Sequence, residues 1–147
     1  MTRSTQRRKA VNSQGLALEV DNVFKIAATD SRVRSYLEEK GWAPQGQDAE
    51  MEMDAYRNDK TGRRLCLEDI GDTFPVTFLI GELSLDEFSD MASRLTPALS
   101  LLEVDSSWEG EATTIVVAMT KAQVKDMFGS RTKMRELPLI RREGEQR

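Results

Sequence analysis

The chain has no histidine and a single cysteine, Cys66, among its 147 residues. The first absence removes Ser-His-Asp and Cys-His catalysis, histidine acid–base chemistry and histidine metal ligation. The second removes any internal disulfide, and one thiol cannot by itself build a zinc or iron–sulfur centre. No apolar run approaches the roughly 20 residues that a bilayer-spanning helix needs. Arg3, Arg7, Arg8 and Lys9 are not followed by the apolar stretch of a secretory signal. The glycines are scattered and no lysine stands in a phosphate-loop arrangement. No twelve-residue calcium loop is visible. These absences lead to the expectation of a cytoplasmic protein with no cofactor, no metal, no catalytic residues and no membrane partner.

Charge is abundant and unevenly placed. Charged residues make up 31% of the chain and the formal net charge is −4. Residues 1–18 carry four positive charges and no negative ones, residues 40–120 sum to −10, and residues 121–147 sum to +4. Such a division points to charged partners and says little about fold. The expected organisation is a basic flexible tail over 1–15, one α+β domain over 16–138, and a charged tail over 139–147.

Hydrophobic periodicity supplies the coarse structure. Residues 16–28 fit either a helical stripe (Val20, Val23, Phe24, Ala27) or an alternating hairpin, and the helix is preferred. Asp30 or Ser31 caps a helix bearing Val33, Tyr36 and Leu37 that stops before Gly41. Trp42 then folds onto the core, and 43–47 reads as a loop. Strands are expected over 48–57, 63–70 and 74–80. Ser84 and Glu87 form a capping box for a helix burying Leu85, Phe88, Ala92 and Leu95, which Pro97 ends. Residues 106–110 read as a loop and 113–119 as a central strand. Thr120 and Gln123 form a second capping box for a helix ending at Gly129. Together these features predict a small antiparallel or mixed sheet of about four strands, with helices packed on one face and basic termini.

Two function classes compete. The first is a non-enzymatic interaction protein, such as an inhibitor, adaptor or assembly subunit of the kind common in phage and mobile elements. It would dock a basic protein partner through an acidic sheet face. Odd-numbered apolar residues on the strands 48–57 and 63–70 require odd-with-odd pairing across a five-residue loop. Ala55 then lies opposite Leu65, and Met53 opposite Leu67. The other face gathers Asp48, Glu50, Glu52, Asp54 and Glu68, with Trp108 as a further anchor. The second class is a nucleic-acid-associated protein holding phosphates through Arg3, Arg7, Arg8, Lys9, Arg131, Lys133 and Arg135. Residues 121–144 admit a weak helix-turn-helix reading, with 131–137 as the reading helix, but a terminal helix followed by a basic tail is preferred. Cys66, flanked by Glu68 and with Arg64 two residues away, is read as an unreactive thiol.

Overall fold

The structure, a computed structural model, describes residues 22–96, 100–108 and 111–137. The chain runs β1 (Asn22–Ile26), α1 (Asp30–Glu39), β2 (Trp42–Asp48), β3 (Met53–Asn58), β4 (Arg64–Asp69) and β5 (Thr77–Gly81). It continues with α2 (Leu85–Leu95), β6 (Leu101–Trp108), β7 (Glu111–Ala118), α3 (Lys121–Phe128) and β8 (Met134–Leu137). All eight strands form one mixed sheet in the order β2-β3-β4-β5-β1-β7-β6-β8. The expected sheet of about four strands is therefore too small by half. The expected covering of one face by helices is corrected as well.

The sheet is built around β1, which pairs antiparallel with β5 and parallel with β7. Phe24 and Ile26 point to one face and Val23 and Lys25 to the other, and only Lys25 of these four is not buried. A strand covered on both sides shows no alternation of apolar and polar residues. That is why Val23, Phe24 and Ala27 resemble a helical stripe, and why the preferred helix over 16–28 is overturned at 22–26. Residues 16–21 lie outside the described residues, as do both tails.

One face carries α1 and α2. Val33, Tyr36 and Leu37 of α1 and Phe88, Met91 and Ala92 of α2 pack on Phe24, Ile26, Leu65, Leu67 and Leu79. Phe24 and Phe88 stack with ring centroids 4.2 Å apart. Leu85, expected in this core, is the exception at 38% exposed. The two helices are joined by a polar contact: the Tyr36 hydroxyl donates to Asp90 Oδ2 at 2.5 Å, with Arg94 Nε at 3.5 Å and Lys40 Nζ at 3.9 Å from the same oxygen. Lys40 and Arg94 also lie over the Tyr36 ring.

The opposite face carries α3, whose Val124, Met127 and Phe128 pack on the cluster containing Val23, Phe78, Val104, Ile115 and Val117. Lys25 lies beneath Phe128, its Nζ 4.6 Å from the ring centroid. Burial lowers its pKa from the ordinary lysine value. Helix α3 starts on the expected capping box and stops at Gly129. The chain then returns as β8 beside β6, so 134–137 is a strand and no reading helix exists there. Likewise β6 runs to Trp108 and β7 begins at Glu111, where a loop over 106–110 was expected. Among the described residues, no helix is long and apolar enough to cross a membrane.

The Ser84–Glu87 capping box forms as expected, with Ser84 Oγ accepting from Glu87 N–H and Glu87 Oε1 accepting from Ser84 N–H. Its carboxylate has a second role. Arg63, just before β4, donates to both Glu87 oxygens at 2.8 and 2.6 Å, tying the start of α2 to the sheet. Burial would raise the Glu87 pKa, but the Arg63 and Ser84 bonds outweigh it and hold the pKa below its ordinary value of 4.5. A depressed folded-state pKa contributes stability above the unfolded value, and that contribution is lost as pH falls through the folded one. Glu87→Gln is expected to lower stability at pH 7 by about 1–2 kcal/mol. The deficit should shrink to nothing under acid conditions below that folded pKa, as read from urea unfolding across pH. A deficit independent of pH would contradict this account.

Candidate functional site: a groove on the β2–β5 face

Helix α3 covers only part of its face. Over Ala55, Cys66 and Ile80 the face forms a half-open groove of about 670 Å³. Its floor is set by cross-strand register: Ala55 pairs with Cys66, Cys66 with Ile80, and Ile80 with Val23. Ala55 and Cys66 are small side chains between larger neighbours, which leaves a depression in the sheet. Asp48, Glu50 and Met51 of the β2–β3 turn close one end, and Arg57, Arg64 and Glu82 border another side.

This register differs from the sequence-based one by a single residue. Tyr56 lies opposite Leu65 and Asp54 opposite Leu67. The loop explains the shift. Asn58 N–H donates to Arg63 O and Gly62 N–H to Asn58 O, both at 2.8 Å. The Asn58 side chain meanwhile accepts from Lys60 and Thr61 N–H at 2.9 and 3.1 Å. The hairpin thus closes at 58 and 63 around four residues, so even positions of β3 share a face with odd positions of β4. Tyr56 and Asn58 turn inward beneath the helices, and Met53 is buried on the opposite face. The apolar pattern alone was ambiguous because both faces of this hairpin bury side chains.

The acidic row does not assemble. The segment 48–57 divides into the end of β2, a turn, and β3, and β2 itself occupies 42–48, where a loop was expected. Asp48 Oδ2 accepts from Met51 N–H at 2.7 Å. Glu50 lies in the turn, where Glu52 takes a positive φ of 59°. Asp54 faces the helices, bound to Arg34 Nη2 at 2.6 Å. Of the five acids, Glu68 is exposed on the groove side of β4 beside Phe78. Trp108 ends β6 opposite Glu111, on the far side of the sheet. Of the basic candidates, Arg131 and Lys133 are exposed between α3 and β8, and Arg135 is ion-paired with Glu103. Arg3, Arg7, Arg8 and Lys9 lie outside the described residues.

What the sequence reading missed is the Arg57–Arg64 pair. With the true register these two arginines are direct cross-strand partners, and both are exposed. Neither forms an ion pair or a side-chain hydrogen bond among the described residues. The nearby Glu82 carboxylate accepts instead from the backbone N–H of Arg64 at 2.9 Å. Assigning Tyr56 to the helix face would have exposed the pair from sequence alone.

Gly81 allows β5 to lie against β4 at this edge. Its φ is +141°, and a Cβ there would fall 2.6 Å from the Leu65 Cα and 2.7 Å from the Arg64 carbonyl oxygen. Gly46 forms a contrast: it sits at the β2 bulge with a φ of +87° and nothing within 4 Å.

Comparison with models of known protein families, with curated proteins and with solved structures returns no match to this chain.

Gly81→Ala is expected to cost about 2–4 kcal/mol, because rigid backbone must move as well as φ. Gly46→Ala should cost only about 1–2 kcal/mol, the backbone conformation alone. Urea unfolding of both variants checks the difference, and equal costs would contradict the close β4–β5 approach.

Proposed function

We propose that the chain is a non-enzymatic interaction module that docks a segment of a protein partner in the groove on the β2–β5 face. The observation that carries this reading is the contrast between the two faces. Helices α1 and α2 cover the one, whereas the other keeps a groove with a small-residue floor and a charged rim. Mixed polarity of this kind suits protein recognition, in which an apolar centre is ringed by polar groups. Against catalysis stands the chemistry available. The Cys66 thiol on the floor has no histidine anywhere in the chain to deprotonate it. A half-buried cysteine outside any disulfide fits a reducing, cytoplasmic setting.

The expected basic partner changes with the geometry. The acids are dispersed between the two faces and a turn, and the groove rim carries the Arg57–Arg64 pair as well as Asp48, Glu50 and Glu82. A second reading, contact with nucleic acid through the basic segments, is favoured by the exposure of Arg131 and Lys133.

The two readings separate in one experiment. Wild-type protein and Ala55→Trp, which fills the groove floor, are used to capture partners from the native cell with and without nuclease. The groove reading expects a protein captured by the wild type, retained after nuclease and lost with Ala55→Trp while the variant's thermal unfolding remains cooperative. Capture abolished by nuclease, or unaffected by Ala55→Trp, would contradict it. The nucleic-acid reading expects nuclease-sensitive capture that weakens in Arg131→Glu/Lys133→Glu.

A further inference from the structure

We propose that Arg57 and Arg64 form a two-guanidinium anchor for a carboxylate, supplied by an aspartate or glutamate of an extended peptide segment lying in the groove. The proposal rests on the groove being a docking site and names the chemistry of its occupant.

Direct antiparallel partners place their Cβ atoms about 4.5–5.5 Å apart, close enough for two long side chains to converge on one group. Arg57 and Arg64 are such partners on the groove side of the sheet. Like charges facing each other across strands cost stability, so the pair is unfavourable until a counter-ion arrives. Among the described residues, no carboxylate is ion-paired with either guanidinium. Glu82 is held by the Arg64 backbone N–H, and Glu87 is occupied by Arg63. The Arg57 guanidinium reaches over the turn toward Gly62, whose Cβ would lie 3.7 Å from its Nη2. Guanidinium groups match carboxylates through paired N–H donors, and two of them can hold both carboxylate oxygens.

The surroundings select a peptide rather than a nucleic acid. Asp48, Glu50 and Glu82 also line the groove. A polyphosphate laid along it would meet these three acids after satisfying two arginines. An extended peptide alternates its side chains, so one acid can reach the arginine pair while an apolar neighbour meets the Ala55–Cys66–Ile80 floor. A basic residue farther along would then face Asp48.

The test uses full-length protein with isotopically labelled arginine Nε–H groups and a fluorine tag on Cys66, the only cysteine. The probe is a capped, β-prone pentapeptide carrying one glutamate, one valine and one lysine. Its controls are the same peptide with glutamine for glutamate, inorganic phosphate, and a short single-stranded oligonucleotide. The anchor predicts saturable shifts of the Arg57 and Arg64 signals with the glutamate peptide, larger than any shift of the exposed Arg131. It also predicts binding weaker by about tenfold or more for the glutamine peptide and for the Arg57→Gln/Arg64→Gln protein. The double variant removes an unfavourable charge pair, so it should fold at least as stably as the wild type. Arg57 and Arg64 responding no more than Arg131, or responding equally to the glutamine peptide, would overturn the anchor. Stronger response to phosphate or the oligonucleotide would overturn the choice of a carboxylate. The two readings also fail separately. A Cys66 response without an arginine response would sink the anchor and leave the groove as a docking site. Arginine shifts with a silent Cys66 tag would leave the anion contact but remove the groove from it.

Discussion

The hydrogen bonding of β1 to two neighbours is the constraint on which the rest of this structure depends. Strands β2 to β5 form one antiparallel run and β6 to β8 another, and β1 is the strand that joins them. It aligns five residues with β5 and three with β7. Because β1 is covered on both faces, its side chains contribute to both apolar clusters: Phe24 and Ile26 to the helix-covered side, Val23 to the other. A parallel junction needs a long crossover. Here the chain between β1 and β7 supplies α1, α2 and five strands before it returns.

The position of the groove follows from that seam. With β1 in the middle, α3 leaves β7 and packs over the central strands on one face, held by Phe128 above Lys25. None of the residues lining the groove over Ala55, Cys66 and Ile80 comes from a helix. On the other side, α1 and α2 are locked by Tyr36 and Asp90 and by the link of Arg63 to Glu87. The groove ends at β2, an edge that the chain itself protects. Pro44 lacks a donor, the strand bulges between Pro44 and Gly46, and Gln45 Nε2 donates to the carbonyls of Ala43 and Pro44 at 3.2 and 3.1 Å. Such an edge discourages strand addition.

Features set by neighbours in the chain were legible in the sequence, and features set by distant partners were not. Both capping boxes, the stop at Gly129, the burial of Trp42 and the shared face of Val76, Phe78 and Ile80 are local and read correctly. Strand β2 was unreadable because Trp-Ala-Pro-Gln-Gly-Gln-Asp has the composition of a loop and becomes a strand only by pairing with β3. Strand β1 was obscured by double-sided burial. The hairpin failed by one residue because Met53 and Tyr56 are both buried, on opposite faces, so apolar pattern could not choose between them. That single shift turned Asp54 to the helix face and made Arg57 and Arg64 partners, while the β2–β3 turn removed Glu50 and Glu52 from the row. The candidate site was therefore invisible until the turn chemistry of Asn58 was known.

The central claim is that β1 makes one cooperative sheet from two runs of strands and so fixes the open face. Backbone amide exchange, followed across increasing denaturant, tests it most directly. The account predicts that the amides of β1, β5 and β7 exchange last and converge on a single opening free energy equal to that of global unfolding. Early exchange of β1, with the β2–β5 and β6–β8 runs opening at separate free energies, would contradict it.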